Sequence, residues 1–296
     1  MGAAGPEARP TDSLPVVDDA ARLDTAIRAA REGGRVAREH LGNPLYFKVK
    51  DRRDLLIGAS VVVQDTIRDI LLGEYPDDGF LGEEGPDDEV LPVNAERLWI
   101  VDPIDGSSNY FQGVPHFGIS IGYRDAYGFR VGVVYDPSRD ELFTARFGDG
   151  ARLNGVRINV HIPGEGEDAY ERSLVGTDLP GSTEGRVDGM RAATHVANRM
   201  LDLVMMGSPA LGLCYVAAGR IHAYFHLKLH LWDVAGAAVI LQEAGAAFTN
   251  GSGSSWLYSD GTYLASNGRL HGGMLRLLRA ALPGLGSPST SGRGSG

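Results

Sequence analysis

The sequence contains a single cysteine, Cys214, among its 296 residues. An intrachain disulfide is therefore impossible, and a zinc site built from several thiolates is excluded as well. Chains whose thiols stay reduced are typical of the cytoplasm, which is the location that we expect for this protein.

Long apolar runs and an excess of positive charge are also missing. No stretch reaches the roughly 18 apolar residues that a membrane-spanning helix needs, and residues 1–15 lack the apolar core of a signal peptide. The formal net charge of −10 argues against a nucleic-acid polymer or an anionic membrane surface as the main partner. A small anionic substrate stays open, because a bound divalent metal reverses the local field.

Apolar periodicity predicts helices and strands that alternate irregularly, which is typical of an α/β (α+β) fold. The pattern predicts helices over residues 18–41, 60–72 and 233–245, and strands over residues 98–101, 117–123, 131–135 and 142–145. The segment PGEGED interrupts the pattern near residues 160–170. We therefore predict a flexible tail, two α/β halves and a second flexible tail, over residues 1–15, 16–165, 166–282 and 283–296.

Two short acidic motifs suggest a functional site. GEE occupies residues 82–84, and DPIDGSS (residues 102–108) follows the apolar run 98–101. Carboxylates at the mouth of a buried strand repel each other and lose hydration, which is unfavourable without a compensating cation. Oxygen ligands without His or Cys indicate Mg²⁺ rather than zinc. Gly106 permits a sharp bend that turns the following amides toward an anion, and the two serines add hydroxyl groups.

Each motif also has an ordinary structural explanation. GEE is common in solvated loops, DPIDG can be a capped turn, and an aspartate such as Asp233 at a helix start is often only the N-cap. Their joint occurrence in this order favours a site that transfers a phosphoryl group to water.

The string WIVDPIDGSSNYFQGVPHFGISIGY (residues 99–123) resembles the inositol monophosphatase family, as does LWDVAGAAVILQEAGA (residues 231–246). GDGARLNGVRINV (residues 148–160) and LASNGRLH (residues 264–271) extend the resemblance to about residues 20–280. It implies a layered α/β/α/β/α sandwich, commonly a homodimer, and hydrolysis of small phosphate monoesters with two or three Mg²⁺ ions.

The resemblance also implies roles for individual residues. Metal ligands would be Glu83, Asp102, the carbonyl of Ile104, Asp105 and Asp233. The phosphate would be bound around Gly106, Ser107 and Ser108, and the Ser107 hydroxyl would take part in catalysis.

The segment before GEE departs from the family pattern. The family usually reads Asp-Leu-Val-Thr-x-x-Asp-x-x-x-Glu, whereas residues 54–64 read DLLIGASVVVQ, with Ile57, Ser60 and Gln64 at the last three fixed positions. The resemblance implies that the second aspartate helps to deprotonate the attacking water, which Ser60 cannot do at neutral pH. Three alternatives follow: the metal alone activates water, Glu84 or Asp54 replaces the missing base, or the site binds a phosphorylated ligand without hydrolysing it.

A second departure concerns the substrate. His226 stands seven residues before Asp233, where the family often has an acidic residue that binds inositol hydroxyls. Lys228 and His230 make this segment basic, although all three could also point outward from a strand. The change disfavours plain inositol phosphate and leaves other sugar, cyclitol or nucleotide phosphates open.

Overall fold

The computed structural model describes residues 18–43, 47–51, 54–85, 96–162, 168–256, 261–283 and 285, with the backbone alone for residues 47–51, 54–57 and 168. The predicted tail over residues 1–15 lies outside the described residues, as does most of the tail over 283–296 and the centre of the predicted boundary near 160–170. The division into two halves therefore stays a prediction. Within the described ranges, no helix combines the length and the apolar character that a membrane crossing requires.

The larger sheet has seven strands in the order β3-β4-β5-β6-β7-β8-β9, with β3 and β4 parallel and the other pairs antiparallel. The strands are β3 (Gly79–Gly82), β4 (Leu98–Asp105), β5 (Gly118–Asp125), β6 (Gly128–Asp136), β7 (Glu141–Arg146), β8 (Ala151–Leu153) and β9 (Val156–Ile158). All eight residues of β4 are buried, because this strand lies between two neighbours and is covered on both faces.

The second sheet has five strands in the order β11-β10-β12-β14-β13. These strands are β10 (Leu174–Thr177), β11 (Asp202–Val204), β12 (Ala223–Leu229), β13 (Ala247–Asn250) and β14 (Gly261–Ser266). A separate antiparallel pair consists of β1 (Phe47–Asp51) and β2 (Asp54–Ile57).

The helices form three layers that alternate with the two sheets. They are α1 (Asp19–Glu39), α2 (Gly58–Glu74), α3 (Ser107–Phe111), α4 (Asp168–Glu171), α5 (Thr183–Ala197), α6 (Pro209–Ala217), α7 (Leu231–Glu243) and α8 (His271–Ala281). Helices α1 and α2 cover the outer face of the large sheet, α6 and α7 lie between the sheets, and α5 and α8 cover the outer face of the small sheet. The middle helices are apolar on nearly every side, as burial between two sheets requires. The predicted layered α/β/α/β/α sandwich is confirmed.

The predicted helices and strands are present, and their ends differ in informative ways. Strand β4 continues through the DPID motif to Asp105 instead of ending before it. Helix α2 begins at Gly58, so Ser60 lies inside its first turn. Helix α7 begins at Leu231, and Asp233 is its third residue, not its first.

Candidate metal and phosphate site

Strands β3 and β4 bring the two acidic motifs together. The backbone N–H of Glu83 donates to the carbonyl of Val101 at 3.1 Å, which extends the parallel pairing of the two strands by one residue. Glu83 therefore lies beside Asp102, and their carboxyl groups are in hydrogen-bonding contact. Asp102 and Asp105 are only 2% and 3% exposed, so two carboxyl groups are buried at the end of one strand.

Asp233 joins this pair from the first turn of α7. One carboxylate oxygen from each of Asp102, Asp105 and Asp233 lies within 4.8 Å of the others. In Asp102 the Oδ1 atom accepts from the N–H of Ile104 at 3.0 Å, and in Asp233 the Oδ2 atom accepts from the N–H of His230 at 2.7 Å. These bonds fix the orientation of both carboxylates and leave each with a second oxygen.

Asp105 is oriented by the segment before α6. Its Oδ2 atom accepts from the N–H of Ala210 at 2.9 Å and from the hydroxyl of Ser208. The Oδ1 atom is not engaged by these donors. The three aspartates, of which Asp102 and Asp105 are buried and Asp233 is partly buried, are thus held by donors from three different segments.

The pKa values show how unfavourable this cluster is without a cation. Burial raises the pKa of Asp102 well above its ordinary value, and the neighbouring carboxyl groups of Glu83, Asp105 and Asp233 raise it further. Burial also raises the pKa of Asp105 to about 7, although the Ser208 and Ala210 donors act in the opposite direction. A divalent cation would remove this repulsion, and a donor set made only of oxygen atoms fits Mg²⁺.

The predicted phosphate-binding motif lies against a second glycine turn beside the aspartates. Gly106 has a φ of +97°, and a Cβ atom there would lie 2.7 Å from the carbonyl of Gly207. Gly207 has a φ of +83°, and its Cβ would lie 2.7 Å from Nδ2 of Asn109. Asn109 in turn donates to the carbonyls of His116 and Met206, both at 2.8 Å. Glycine suits both turns, because each position combines a positive φ with a close contact, to a backbone carbonyl at Gly106 and to the Asn109 side chain at Gly207.

A cavity of about 610 Å³ opens at this point, and most of the predicted site residues line it. They are Glu83, Asp102, Ile104, Asp105, Gly106, Ser107, Ser108, His226 and Asp233. The structure therefore brings together residues from β4, α3, β12 and α7 with Glu83, which follows β3. Their individual roles stay predictions.

Two predicted catalytic residues, Ser60 and Glu84, are not among the described residues that line the cavity. Ser60 is 2% exposed within α2. Gln64 binds the backbone of Glu84: its Oε1 atom accepts from the Glu84 N–H at 2.9 Å, and its Nε2 atom donates to the Glu84 carbonyl. Gln64 thus holds the segment that carries Glu83, which is a structural function. The side chains of Asp54 and Ile57 lie outside the described residues.

Two residues that sequence analysis missed contribute to the site. Ser208 fixes Asp105, and the string GSPA before α6, with a proline in the first turn, is a recognisable helix start that could have indicated it. Asp178 follows β10 and accepts from the N–H of Gly207 at 2.7 Å and from the hydroxyl of Tyr224 at 2.8 Å. Burial raises the pKa of Asp178 to about 6. No local pattern marks Asp178, because its position depends on the parallel pairing of β10 with β12.

The basic segment before α7 faces the cavity rather than only the solvent. His226, Lys228 and His230 all line the cavity, and His226 is 5% exposed. The Nδ1 atom of His226 accepts from the N–H of Lys228 at 3.1 Å. Burial lowers the pKa of His226 to about 4, so the ring is neutral at pH 7 and its hydrogen is on Nε2.

The layered fold and the cluster of carboxylate oxygens are typical of phosphatase-type proteins that bind a divalent metal. The sequence profile of the Inositol monophosphatase family matches residues 18–282, and the chain belongs to this family. The Nus factor SuhB of Pasteurella multocida is 33% identical over 255 residues, which are 84% of this chain and 92% of that protein.

Solved structures agree with this assignment. The IMPase of Thermotoga maritima has a TM-score of 0.80 and 28% identity, and the match covers 89% of this chain and 98% of that one. SaIMPase-II, solved with inositol monophosphate bound, has a TM-score of 0.71 and 25% identity over 86% of this chain and 92% of that one. The family is Mg²⁺-dependent and acts on small phosphorylated substrates.

Proposed function

We propose that this chain is a Mg²⁺-dependent phosphatase that hydrolyses a small phosphate monoester. The observation that carries the proposal is the cluster of Asp102, Asp105 and Asp233, with one oxygen from each within 4.8 Å of the others. The cluster shares its cavity with the anion-binding motif at residues 106–108. The substrate class is a sugar, cyclitol or nucleotide phosphate, since SaIMPase-II was solved with inositol monophosphate and with 2'AMP bound.

We assign each residue a role that fits its chemistry. We assign the metal ligands to Glu83, Asp102, the carbonyl of Ile104, Asp105 and Asp233, for two or three ions. Mg²⁺ held by these ligands would neutralise the phosphate charge and lower the pKa of water. The backbone amides of Gly106 and Ser107 bind phosphate oxygens, while the Ser107 hydroxyl orients the water. The water oxygen bonds to phosphorus while the bond between phosphorus and the ester oxygen breaks, and the leaving oxygen takes up a proton from solvent, so that the product is the alcohol.

The proton of the attacking water goes to a carboxylate in the cavity. Ser60 offers no carboxylate, and Glu84 is not among the residues that line the cavity. We therefore assign proton acceptance to the carboxylate oxygen of Glu83 that is not a metal ligand, because this side chain is partly exposed and lies next to Asp102.

A second candidate is a protein that binds a phosphorylated ligand without hydrolysing it. The observation that favours this candidate is Ser60, which replaces the aspartate expected to deprotonate water. The name Nus factor, given to the curated relatives, is also not the name of an enzyme.

Phosphate release from a panel of sugar, cyclitol and nucleotide monophosphates in excess Mg²⁺ separates the two candidates. We expect turnover by the wild type, loss of turnover with chelator and loss in Asp105→Asn. If the wild type releases no phosphate while Ser60→Asp does, hydrolysis is not the function of the natural chain.

We also propose that the protein is a cytoplasmic homodimer, because the family commonly forms dimers and the only cysteine, Cys214, is buried and unpaired. Light scattering after size-exclusion chromatography tests the dimer, and a mass of one chain would contradict it.

A further inference from the structure

The cavity is lined by cationic side chains as well as by carboxylates. Arg186 from α5 and Lys228 from β12 also line it. Within the described part of the chain, neither side chain forms an ion pair, and the one hydrogen bond of the Arg186 side chain is a long contact of 3.5 Å to the carbonyl of Pro180. Two cationic groups are therefore available to a ligand.

His226 adds a neutral donor to the same cavity. Its Nδ1 atom is already bound to the backbone N–H of Lys228, so the group that it can offer to a ligand is the Nε2–H. A hydrogen-bond donor at this position suits an acceptor oxygen on the ligand and cannot accept a bond from a hydroxyl group. The His226 side chain thus favours the same kind of ligand as the two cations.

Besides Glu83 and the aspartate cluster, Asp178 is the one acidic residue among the described residues that line this cavity, whereas Glu184 and Asp188 line a second cavity that Lys228 also borders. Asp178 lines the cavity, but its Oδ1 atom accepts from the N–H of Gly207 and its Oδ2 atom from the hydroxyl of Tyr224. Both carboxylate oxygens of Asp178 thus accept hydrogen bonds from other groups of the protein. The cavity of about 610 Å³ is also large enough for a ligand that reaches from the aspartate cluster to a second group.

We propose that the substrate carries a second anionic group, a carboxylate or another phosphate, which Arg186, Lys228 and the Nε2–H of His226 bind while the reacting phosphate lies at the aspartate cluster. This proposal rests on the proposed phosphatase function for the position of the reacting phosphate. It narrows the substrate class from phosphate monoesters in general to those whose leaving group is itself negatively charged.

The test compares three matched compounds: a hexose monophosphate, the corresponding uronic acid monophosphate and the corresponding hexose bisphosphate. In the wild type with Mg²⁺, we expect kcat/KM for phosphate release to be about 10-fold or more higher for at least one of the doubly anionic compounds. The better of the two identifies the second group as a carboxylate or a phosphate.

Two variants test whether Arg186 and Lys228 cause the preference for a doubly anionic substrate. Lys228→Met and Arg186→Met should each lower the ratio of kcat/KM between the doubly anionic and the neutral compound by about 10-fold. The matched control is Arg191→Met on the same helix, since Arg191 is paired with Asp188 at 2.7 Å and does not line the cavity. This control should leave the ratio unchanged.

Binding measurements by calorimetry test this proposal even if the chain is not a phosphatase. If the wild type releases no phosphate from any of the compounds, the dissociation constants of the same three compounds in Mg²⁺ decide the question with the same variants. A wild type that prefers the neutral compound, or a preference that both variants leave intact, would overturn the proposal.

Discussion

Each aspartate of the cluster accepts a hydrogen bond that fixes its carboxylate, and for Asp105 and Asp233 the donors are not among the proposed metal ligands. Asp105 is the clearest case, because Ser208 and Ala210 both donate to its Oδ2 atom. Such donors orient a ligating carboxylate and stabilise its charged form. The Ser208 hydroxyl is therefore a positioning group that fixes the orientation of the Asp105 carboxylate, which would hold the cation.

Replacing this hydroxyl should weaken metal binding without removing a ligand. We predict that Ser208→Ala raises the Mg²⁺ concentration needed for half-maximal thermal stabilisation by about 10–100-fold. The matched control is Ser173→Ala, which removes another fully buried hydroxyl, one that donates to the carbonyl of Ala169. Equal Mg²⁺ midpoints for Ser208→Ala and the wild type would show that Ser208 does not position Asp105.

At the scale of elements, the position of Asp233 depends on how closely α7 packs on the large sheet. A Cβ atom on Gly132 would lie 2.2 Å from the carbonyl of Gly236, and one on Gly122 would lie 2.7 Å from the Cβ of Ala235. Helix α7 therefore rests directly on the backbones of β5 and β6. The depth of this contact sets the distance between Asp233 and the two aspartates of β4.

Adding one methyl group at this contact should displace the helix. We predict that Gly236→Ala destabilises the protein by about 1–3 kcal/mol and weakens Mg²⁺ binding, since its Cβ would lie 2.9 Å from the carbonyl of Val133. The control is Gly73→Ala in α2, where a Cβ meets nothing within 4 Å. This substitution should stabilise the helix by up to about 1 kcal/mol. Denaturant unfolding measures both, and an unchanged midpoint for Gly236→Ala would contradict the packing argument.

Elements with strong local signals could be predicted from the sequence, and so could most of the residues that line the cavity. The acidic residues of DPIDGSS follow an apolar run, and Asp233 precedes an apolar helix. Their positions could therefore be predicted from the local sequence alone. Ser208 and Asp178 were missed because their contacts, to Asp105 and Tyr224, join residues 103 and 46 positions apart. The boundary of α7 was wrong by two residues, because Asp233 accepts from the N–H of His230 and so allows the helix to begin earlier.

At the scale of the whole molecule, the buried carboxyl groups couple folding to both pH and metal. Burial raises the pKa of Asp105 from its ordinary 3.8 to about 7. Between these values the folded state retains a proton that the unfolded state has released, so stability without metal falls as the pH rises. This loss of stability is absent below the pKa that Asp105 has in the unfolded state, and it is complete above about pH 7.

Mg²⁺ should therefore stabilise the protein more at high pH than at low pH. We predict that the rise in Tm on adding Mg²⁺ to chelator-treated protein is larger at about pH 8 than at about pH 5.5. In Asp105→Asn, which has no proton to lose at this position, the difference should shrink. A rise in Tm that is equal at both values, or larger at the lower one, would contradict the assignment of the cation to this cluster.

The central claim is that water attacks phosphorus at the aspartate cluster even though Ser60 occupies the position of the expected base. The most direct measurement is turnover in ¹⁸O-labelled water, followed by mass spectrometry of the released phosphate and of the organic product. We predict that each phosphate gains one ¹⁸O atom and that the alcohol gains none. Unlabelled phosphate, whether it comes with a labelled alcohol or with an eliminated organic product, would show that the site performs a different reaction.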